Sequence, residues 1–429
     1  MEPTAPLSVF RSRLRHHSRD HSTGSHSRSM RQANLREILR LLRQHMPCSR
    51  ADLVRISGLT APTVSSAIAT FQRKGLVRFT GAGSSKGGRP PRILEFNARY
   101  GCVFGADIGG SSVRLALADL SGKIIARVSE PVPDNQTPNE VTNRIAAAVT
   151  RLLSEHGIAP DKVLELAAGA PGISDVRKGR VLSAPNLQGW HNVPLAELLE
   201  NKTGISTTVE NDVNLGAVGE GCCGVARQYD NFVFIAIGSG VGAGIVVSGA
   251  LHHGARWSAG EIGYMQVPGL PAEALRVNGL GVLEGAIAGE GIKHAWLASA
   301  NGRRNQMQKL QPTDIFDLAT SGDACAQRIL DSTAERLAAA IVNMNLVLDT
   351  PLVVLGGGIG SHPVLVEATQ KAIAQNEFAR PEVVASSLGQ DAQLHGAVWL
   401  AIQTAEQHGF LRRSERRKQV RLPVKSRAG

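Results

Sequence analysis

Two hydrophobic patterns divide the chain. From Asn34 onward, apolar residues fall at Leu35, Ile38, Leu39 and Leu42, the three-and-four spacing of one helix face, and Pro47 stops the run. Ser49-Arg-Ala-Asp52 has the form of a capping box and opens a second helix with Leu53 and Ile56 inward. Gly58 gives a turn. Thr60 can cap a third helix that tolerates Pro62 in its first turn, buries Val64, Ala67, Ile68 and Phe71, and ends at Gly75. LVRF (76–79) and ILEF (93–96) then form a short strand pair around TGAGSSKGGRPPR. This order predicts a winged helix-turn-helix over residues 30–99, with the third helix the one that enters a major groove. Any three-helix bundle shares the helical part of the pattern, so the wing and the charge matter.

The second pattern begins past Tyr100, where apolar strands alternate with Gly-rich turns and longer helical stretches. CVFGADIGGSSVRLALADLSGKIIARV (102–128) runs as strand, Gly turn and strand. FVFIAIGSGVGAGIVVSGAL (232–251) has twenty uncharged residues, the length of a membrane span. Its glycines at 238, 240, 242, 244 and 249 break it into a buried hairpin instead. PLVVL followed by GGGIG (356–360) is a third strand leading into a Gly turn. These repeats predict an α/β body over residues 100–408.

Charge separates the same segments. Residues 30–99 carry a net +10, residues 1–29 +3 and residues 409–429 +7, whereas 100–408 sits at −9 within a total of +11. A basic, patterned N-terminal module on an acidic body points to duplex DNA as partner of the module alone. Candidate DNA contacts are the small polar residues outside the third helix's apolar face, Thr60, Thr63, Ser65, Ser66 and Thr70, with Lys86, Arg89 and Arg92 from the wing. Residues 1–29 read as a disordered basic tail and residues 409–429 as a basic, solvated one. At 429 residues, with 42% hydrophobic content and 46 glycines, the chain suits a multi-domain α/β protein. Five cysteines, none in a CxxC pair, and no apolar leader predict a reduced, cytoplasmic protein with no membrane association.

Candidate chemistry gathers at Gly turns and at one acidic turn. Asp107 opens Gly109-Gly110-Ser111, a geometry that can wrap phosphate oxygens with backbone N–H groups while the carboxylate holds Mg²⁺; it reads equally as a plain hairpin. Gly238, Gly240 and Gly242, then Gly357 and Gly358, repeat the device. In VENDVNLGAVGE (209–220), Asn211 and Asp212 follow an apolar strand and precede a helix, the edge at which α/β sheets meet ligands. The plainer alternative is that Asp212 caps that helix.

The body resembles the ROK family (repressors, open reading frames and sugar kinases). Across about residues 101–405 the family's pieces occur in order: DIGGSS, GAPG, APNLQGWHNVPL, VENDVN, GSGVGAGI, AGEIGY, LE and LGGGIG. The resemblance implies a two-lobed actin-like ATPase fold, one lobe from about 100–214 plus 390–408 and the other from 215–389. With the winged module, the chain is similar to the family's repressors of xylose-type and N-acetylglucosamine-type operons. It further implies that Gly172, Asn186, Asn211, Asp212, Glu261 and Glu284 line a sugar pocket, with Asp212 the base in the family's kinases.

This sequence departs from the family at three points. Tyr264 stands where an imidazole is expected to touch the sugar, Ser112 replaces a common Lys, and residues 265–284 hold no Cys or His for the family's structural zinc. The expectation is a sugar-responsive repressor, homodimeric or homotetrameric on paired half-sites, needing neither zinc nor another cofactor, with ATP and Mg²⁺ binding left open. The alternative is a DNA-binding sugar kinase with Asp212 as catalytic base. A body serving only for dimerisation would not need the polar ring.

Overall fold

The computed structural model describes residues 23–82, 92–110, 112–133, 136–185, 187–267, 269–270, 280–299 and 310–410. The N-terminal module comprises α1 (Thr23–Gln44), β1 (Cys48–Ser49), α2 (Arg50–Ser57), α3 (Ala61–Lys74), β2 (Val77–Ala82) and β3 (Arg92–Phe96). Ser49 and Asp52 cap α2 reciprocally, and Gly58 ends it in a left-handed conformation, so the chain reverses into α3. Ile38, Leu39 and Leu42 of α1 share one core with Leu53, Val64, Ile68 and Phe71. The strands order as β1-β3-β2.

Two tail expectations need correction. Residues 23–29 belong to α1 rather than to a disordered segment. Once the apolar face of residues 35–42 nucleates the helix, each residue added at its end costs little. At the other end Phe410, expected in a solvated tail, is fully buried. Residues 1–22 and 411–429 lie outside the described residues.

The body follows with β4 (Cys102–Ile108), β5 (Ser112–Asp119), β6 (Ile124–Pro131), α4 (Pro138–Glu155), β7 (Val163–Ala170), β8 (Ile173–Asp175), β9 (Arg180–Ser183), β10 (His191–Val193), α5 (Leu195–Thr203), β11 (Thr207–Asn211) and α6 (Asp212–Cys223). Its second half holds β12 (Phe232–Ile237), β13 (Val241–Val247), β14 (Ala250–Leu251), α7 (Glu284–Ile287), α8 (Gly289–Ser299), α9 (Pro312–Thr320), α10 (Ala324–Leu348), β15 (Leu352–Gly356), α11 (Gly357–Gly360), α12 (Pro363–Ile373), β16 (Glu382–Ala385) and α13 (Ala392–Gln407).

Two five-stranded sheets repeat one topology. The first runs β11-β7-β4-β5-β6 and the second β14-β13-β12-β15-β16. In each, three antiparallel strands are extended by two parallel ones, and the first hairpin turns on glycines. The uncharged stretch 232–251 is therefore β12, β13 and β14, with its apolar side chains in the sheet core.

α13 returns the chain to the first lobe, packing on β4, β7 and α6. Its Leu394, Val398, Ala401 and Ile402 join the same apolar cluster as the winged module, so module and first lobe share a continuous core. α6 touches both lobes, with α13 on one side and β12 and β13 on the other. The candidate cleft is the place where the two lobes meet at the start of α6.

Candidate functional site

The parallel strand β11 delivers Asn211 and Asp212 to the carboxyl edge of the first sheet, beside Ala170 at the end of β7. The cap of α6 is Asn211, not Asp212: its Oδ1 accepts from Asn214 N at 2.9 Å. Its Nδ2 donates to Gly172 O at 2.9 Å. Asn211 thus holds the Gly172 turn against the helix, and both ends of its amide are engaged. Gly172 itself has φ +79°, and a Cβ there would lie 2.1 Å from Ser183 O, so only glycine fits.

Asp212, released from capping, is the first residue of α6. Its Oδ1 accepts from Val213 N at 2.9 Å and from Asn211 Nδ2 at 3.2 Å. Burial, the charge of Asp107 and the charge of Glu261 together push its pKa up to about 7. Burial and the neighbouring Glu284 raise Glu261 as well. Ionised, these carboxylates accept from hydroxyl donors; protonated, they donate to hydroxyl oxygens, so the cluster can meet a polyhydroxylated ligand in either state.

Glu284 opens α7 and accepts from Val241 N at 2.9 Å, tying this wall to the Gly238–Gly242 hairpin. A Cβ at Gly240 would meet that carboxylate at 2.9 Å, and one at Gly242 would meet Val213 at 3.0 Å. These two glycines make room for Glu284 and Val213. Gly357, at φ +79°, lies against Ile237 O, which brings the third Gly turn beside the second, and Gly358 is open. Tyr264 is 51% exposed, so its ring sits at the surface. Asn186 and Ser111 lie outside the described residues.

Asp107 does not present itself to a metal. Its Oδ2 accepts from Arg114 Nη2 at 2.5 Å and Nε at 2.9 Å, and the carboxylate is 6% exposed. The two residues face each other across the β4–β5 hairpin. Arg114 also donates to Gln390 O. Burial raises the Asp107 pKa and the guanidinium opposes that rise. An acid already neutralised by a fixed internal cation is a poor partner for Mg·ATP, although the Gly109-Gly110 turn itself is formed. Paired as it is with Arg114, Asp107 does not fit the role of metal holder for a nucleotide.

Sequence reasoning missed the contacts between lobes. Glu210, 4% exposed, accepts from Asn211 N at 2.8 Å and Asn214 Nδ2 at 2.9 Å. Its Oε2 pairs with His253 Nε2 at 2.7 Å, joining β11 to the loop after β14. Burial lowers the His253 pKa, but the hydrogen bond and charge of Glu210 outweigh it, and the net direction is up. His253 is therefore a paired group between the lobes. Beside it Trp257 takes φ +65°, a strained backbone for a bulky residue, and Arg177 stacks over its indole at 5.4 Å. No local motif announces partners 43 residues apart.

In the N-terminal module, Thr60 caps α3 and its hydroxyl bonds that of Thr63 at 2.9 Å. Ser66 is exposed, Ser65 and Thr70 are half-buried, and Thr70 bonds back to Ser66 O at 2.9 Å. Arg92 stacks on Phe79 at 3.7 Å with Arg50 on the same ring at 5.3 Å. Arg73 lies exposed on α3 and bonds Thr70 at 3.3 Å, a cation that the emphasis on small polar residues passed over. Lys86 and Arg89 lie outside the described residues.

Comparisons with known proteins fall on the same two parts. The ROK family model matches residues 103–404 and the IclR helix-turn-helix domain model residues 34–81. The xylose repressor of Bacillus subtilis is 25% identical over 378 residues, 86% of this chain and 94% of that protein. A glucokinase of Halalkalibacterium halodurans is 31% identical over 318 residues, 70% and 94% respectively. The DNA-binding transcriptional dual regulator NagC of Escherichia coli is 24% identical over 351 residues, 80% and 85%. Among solved structures, a ROK family transcriptional regulator, a homolog of the E. coli MLC protein, shares the fold with TM-score 0.77 at 22% identity, over 89% of this chain and 97% of that one. A Streptomyces griseus glucokinase with glucose and AMPPNP aligns with TM-score 0.61 at 25% identity, over 71% and 100%. With a helix-turn-helix region ahead of a two-lobed actin-like body, the chain belongs to the ROK family.

Proposed function

We propose that the chain is a sugar-responsive DNA-binding repressor of a carbohydrate operon, whose kinase-like body senses a sugar and whose winged module holds duplex DNA. One observation carries this reading: Asp212, Glu261 and Glu284 lie close enough to act on one another's charge, while the phosphate-side acid Asp107 is tied up by Arg114. A pocket built so can bind hydroxyls without engaging a nucleotide. The repressor names of relatives that align over most of this chain support the same reading.

Asn186, Asn211, Asp212, Glu261 and Glu284 would receive the sugar's hydroxyls, with Gly172 shaping the turn beside them and Tyr264 at the margin. Thr60, Thr63, Ser65, Ser66 and Thr70 would face the major groove, with Arg73, Arg92 and wing residues Lys86 and Arg89 on phosphates. A homodimer or homotetramer reading paired half-sites, working in the cytoplasm with no required cofactor, completes the proposal.

The test uses the full chain and a duplex selected by it from random sequence. D-xylose, D-glucose and N-acetyl-D-glucosamine are added in turn, without nucleotide, and duplex affinity is read by anisotropy. Release by one of them is expected; unchanged affinity with all three, while one binds, would defeat the reading.

A second reading has one observation in its favour. A carboxylate whose pKa stands at about 7 is poised as a general base, and a relative at 31% identity is a glucokinase. Under that reading the chain phosphorylates a sugar hydroxyl with Asp212 as base. Sugar-dependent ADP release at about 1 per second or faster would select it.

A further inference from the structure

Two helices packed backbone on backbone connect the cleft to the winged module. α6 starts at Asp212. Against it lies α13, at contacts that leave no space for side chains. A Cβ on Gly219 would stand 2.2 Å from Ala392 O, and one on Gly396 would stand 1.8 Å from Leu215 O. A shift at the first turn of α6 therefore cannot be absorbed by side-chain repacking and passes to α13.

At the far end of α13, Glu406 accepts from Arg43 Nη1 at 2.6 Å. The same guanidinium donates from Nη2 to Leu120 O at 3.1 Å, in the turn between β5 and β6. It also stacks on Phe96 at 5.4 Å and Phe410 at 5.7 Å, whose rings are 5.6 Å apart. Arg43 belongs to α1 and Phe96 ends β3, so both main elements of the module meet the body here. The two charged side chains are only 13% and 16% exposed. A pair this desolvated is sensitive to small displacements, unlike an exposed one.

We propose that Arg43 is the positioning residue through which the sugar cleft acts on the DNA-reading helices, gripping Glu406 at the end of the α6–α13 pair. The proposal rests on the sugar-sensing reading. Arg43 itself touches neither sugar nor DNA in this account; it sets the pose of α1 and hence of α2 and α3.

The experiment compares the full chain with Arg43→Met, Glu406→Gln and the charge-reversed double variant Arg43→Glu/Glu406→Arg. Sugar affinity is measured with whichever of D-xylose, D-glucose and N-acetyl-D-glucosamine the wild type binds. Duplex affinity is measured with and without that sugar, using the duplex selected by the wild type. Each single variant should keep near wild-type affinity for sugar alone and for duplex alone. The sugar's effect on duplex binding, about 5- to 150-fold for ordinary coupling, should fall to about twofold or less. The reversed pair should restore part of it, and sugar-dependent hydrogen exchange in α1 should follow the same order. Glu406→Gln keeps size and an acceptor, so it covers the case in which Arg43→Met fails to fold. Single variants that retain the full sugar effect would overturn the proposal while leaving the sugar-sensing reading intact. A wild type that binds sugar yet shows no effect on duplex affinity would overturn both.

Discussion

Replacing Asp212 by Asn should stabilise the protein while weakening its hold on sugar. Oδ1 of Asp212 already accepts from Val213 N and Asn211 Nδ2, which leaves Oδ2 for the cleft. An Asn side chain would keep its carbonyl at the Oδ1 position and place its NH₂ where Oδ2 faces the ligand. Burial, Asp107 and Glu261 raise the carboxyl pKa from 3.8 to about 7. Because the folded value lies above the unfolded one, the associated stability is full below about pH 4 and is lost as pH rises through about 7. A rise of that size is worth at most about 4 kcal/mol. The side chain is partly open at the cleft, so solvent screening leaves roughly 1–2 kcal/mol. Asp212→Asn should therefore be more stable than wild type by that amount at pH 8 and by little near pH 4, as read from urea denaturation at both. At pH 8, where Asp212 is ionised, sugar affinity should fall about tenfold or more, because a charge-assisted acceptor becomes a donor. Equal pH dependence in the two proteins would refute the electrostatic argument, and unchanged sugar affinity would remove Asp212 from the site.

Other perturbations test other links. Arg114→Ala leaves Asp107 buried and unpaired and should cost roughly 3 kcal/mol in urea denaturation, with Arg114→Leu/Asp107→Asn costing less than that single change. The His253–Glu210 pair is charge-assisted below the raised His253 pKa, so the stability lost in His253→Gln should be largest below about pH 6.5 and shrink as pH rises through the folded value. Gly172→Ala forces a Cβ against Ser183 O and should both destabilise the first lobe by about 2 kcal/mol or more and displace Asn211, measured by melting and by sugar titration. Arg73→Ala and Arg92→Ala should each weaken duplex binding by about 1 kcal/mol and lower the salt slope by about one, whatever the duplex sequence.

The module's three helices were legible because their signals are local: apolar residues three and four apart, a capping box at Ser49 and glycines at 58 and 75. Strand β1, two residues long, carries no such pattern and exists through its pairing with β3. The 232–251 hairpin could be read from glycine spacing alone, since periodic glycine is incompatible with one long helix. At the acidic turn, Asn211 and Asp212 are both good caps, and their order in the chain does not say which faces the ligand. Asp107 and Arg114 were within reach, because a hairpin turning at Gly109-Gly110 aligns them as cross-strand partners. The pairs Glu210–His253 and Arg43–Glu406 were not, being 43 and 363 residues apart and created by lobe packing.

The most direct measurement is sugar affinity with and without saturating duplex, by titration calorimetry on the full chain in the absence of nucleotide. Linkage requires that duplex weaken sugar binding by the same factor by which sugar weakens duplex binding. The account predicts that equality, with a factor of about five or more. A sugar dissociation constant unchanged by duplex would contradict it, because a ligand bound equally by both states shifts neither.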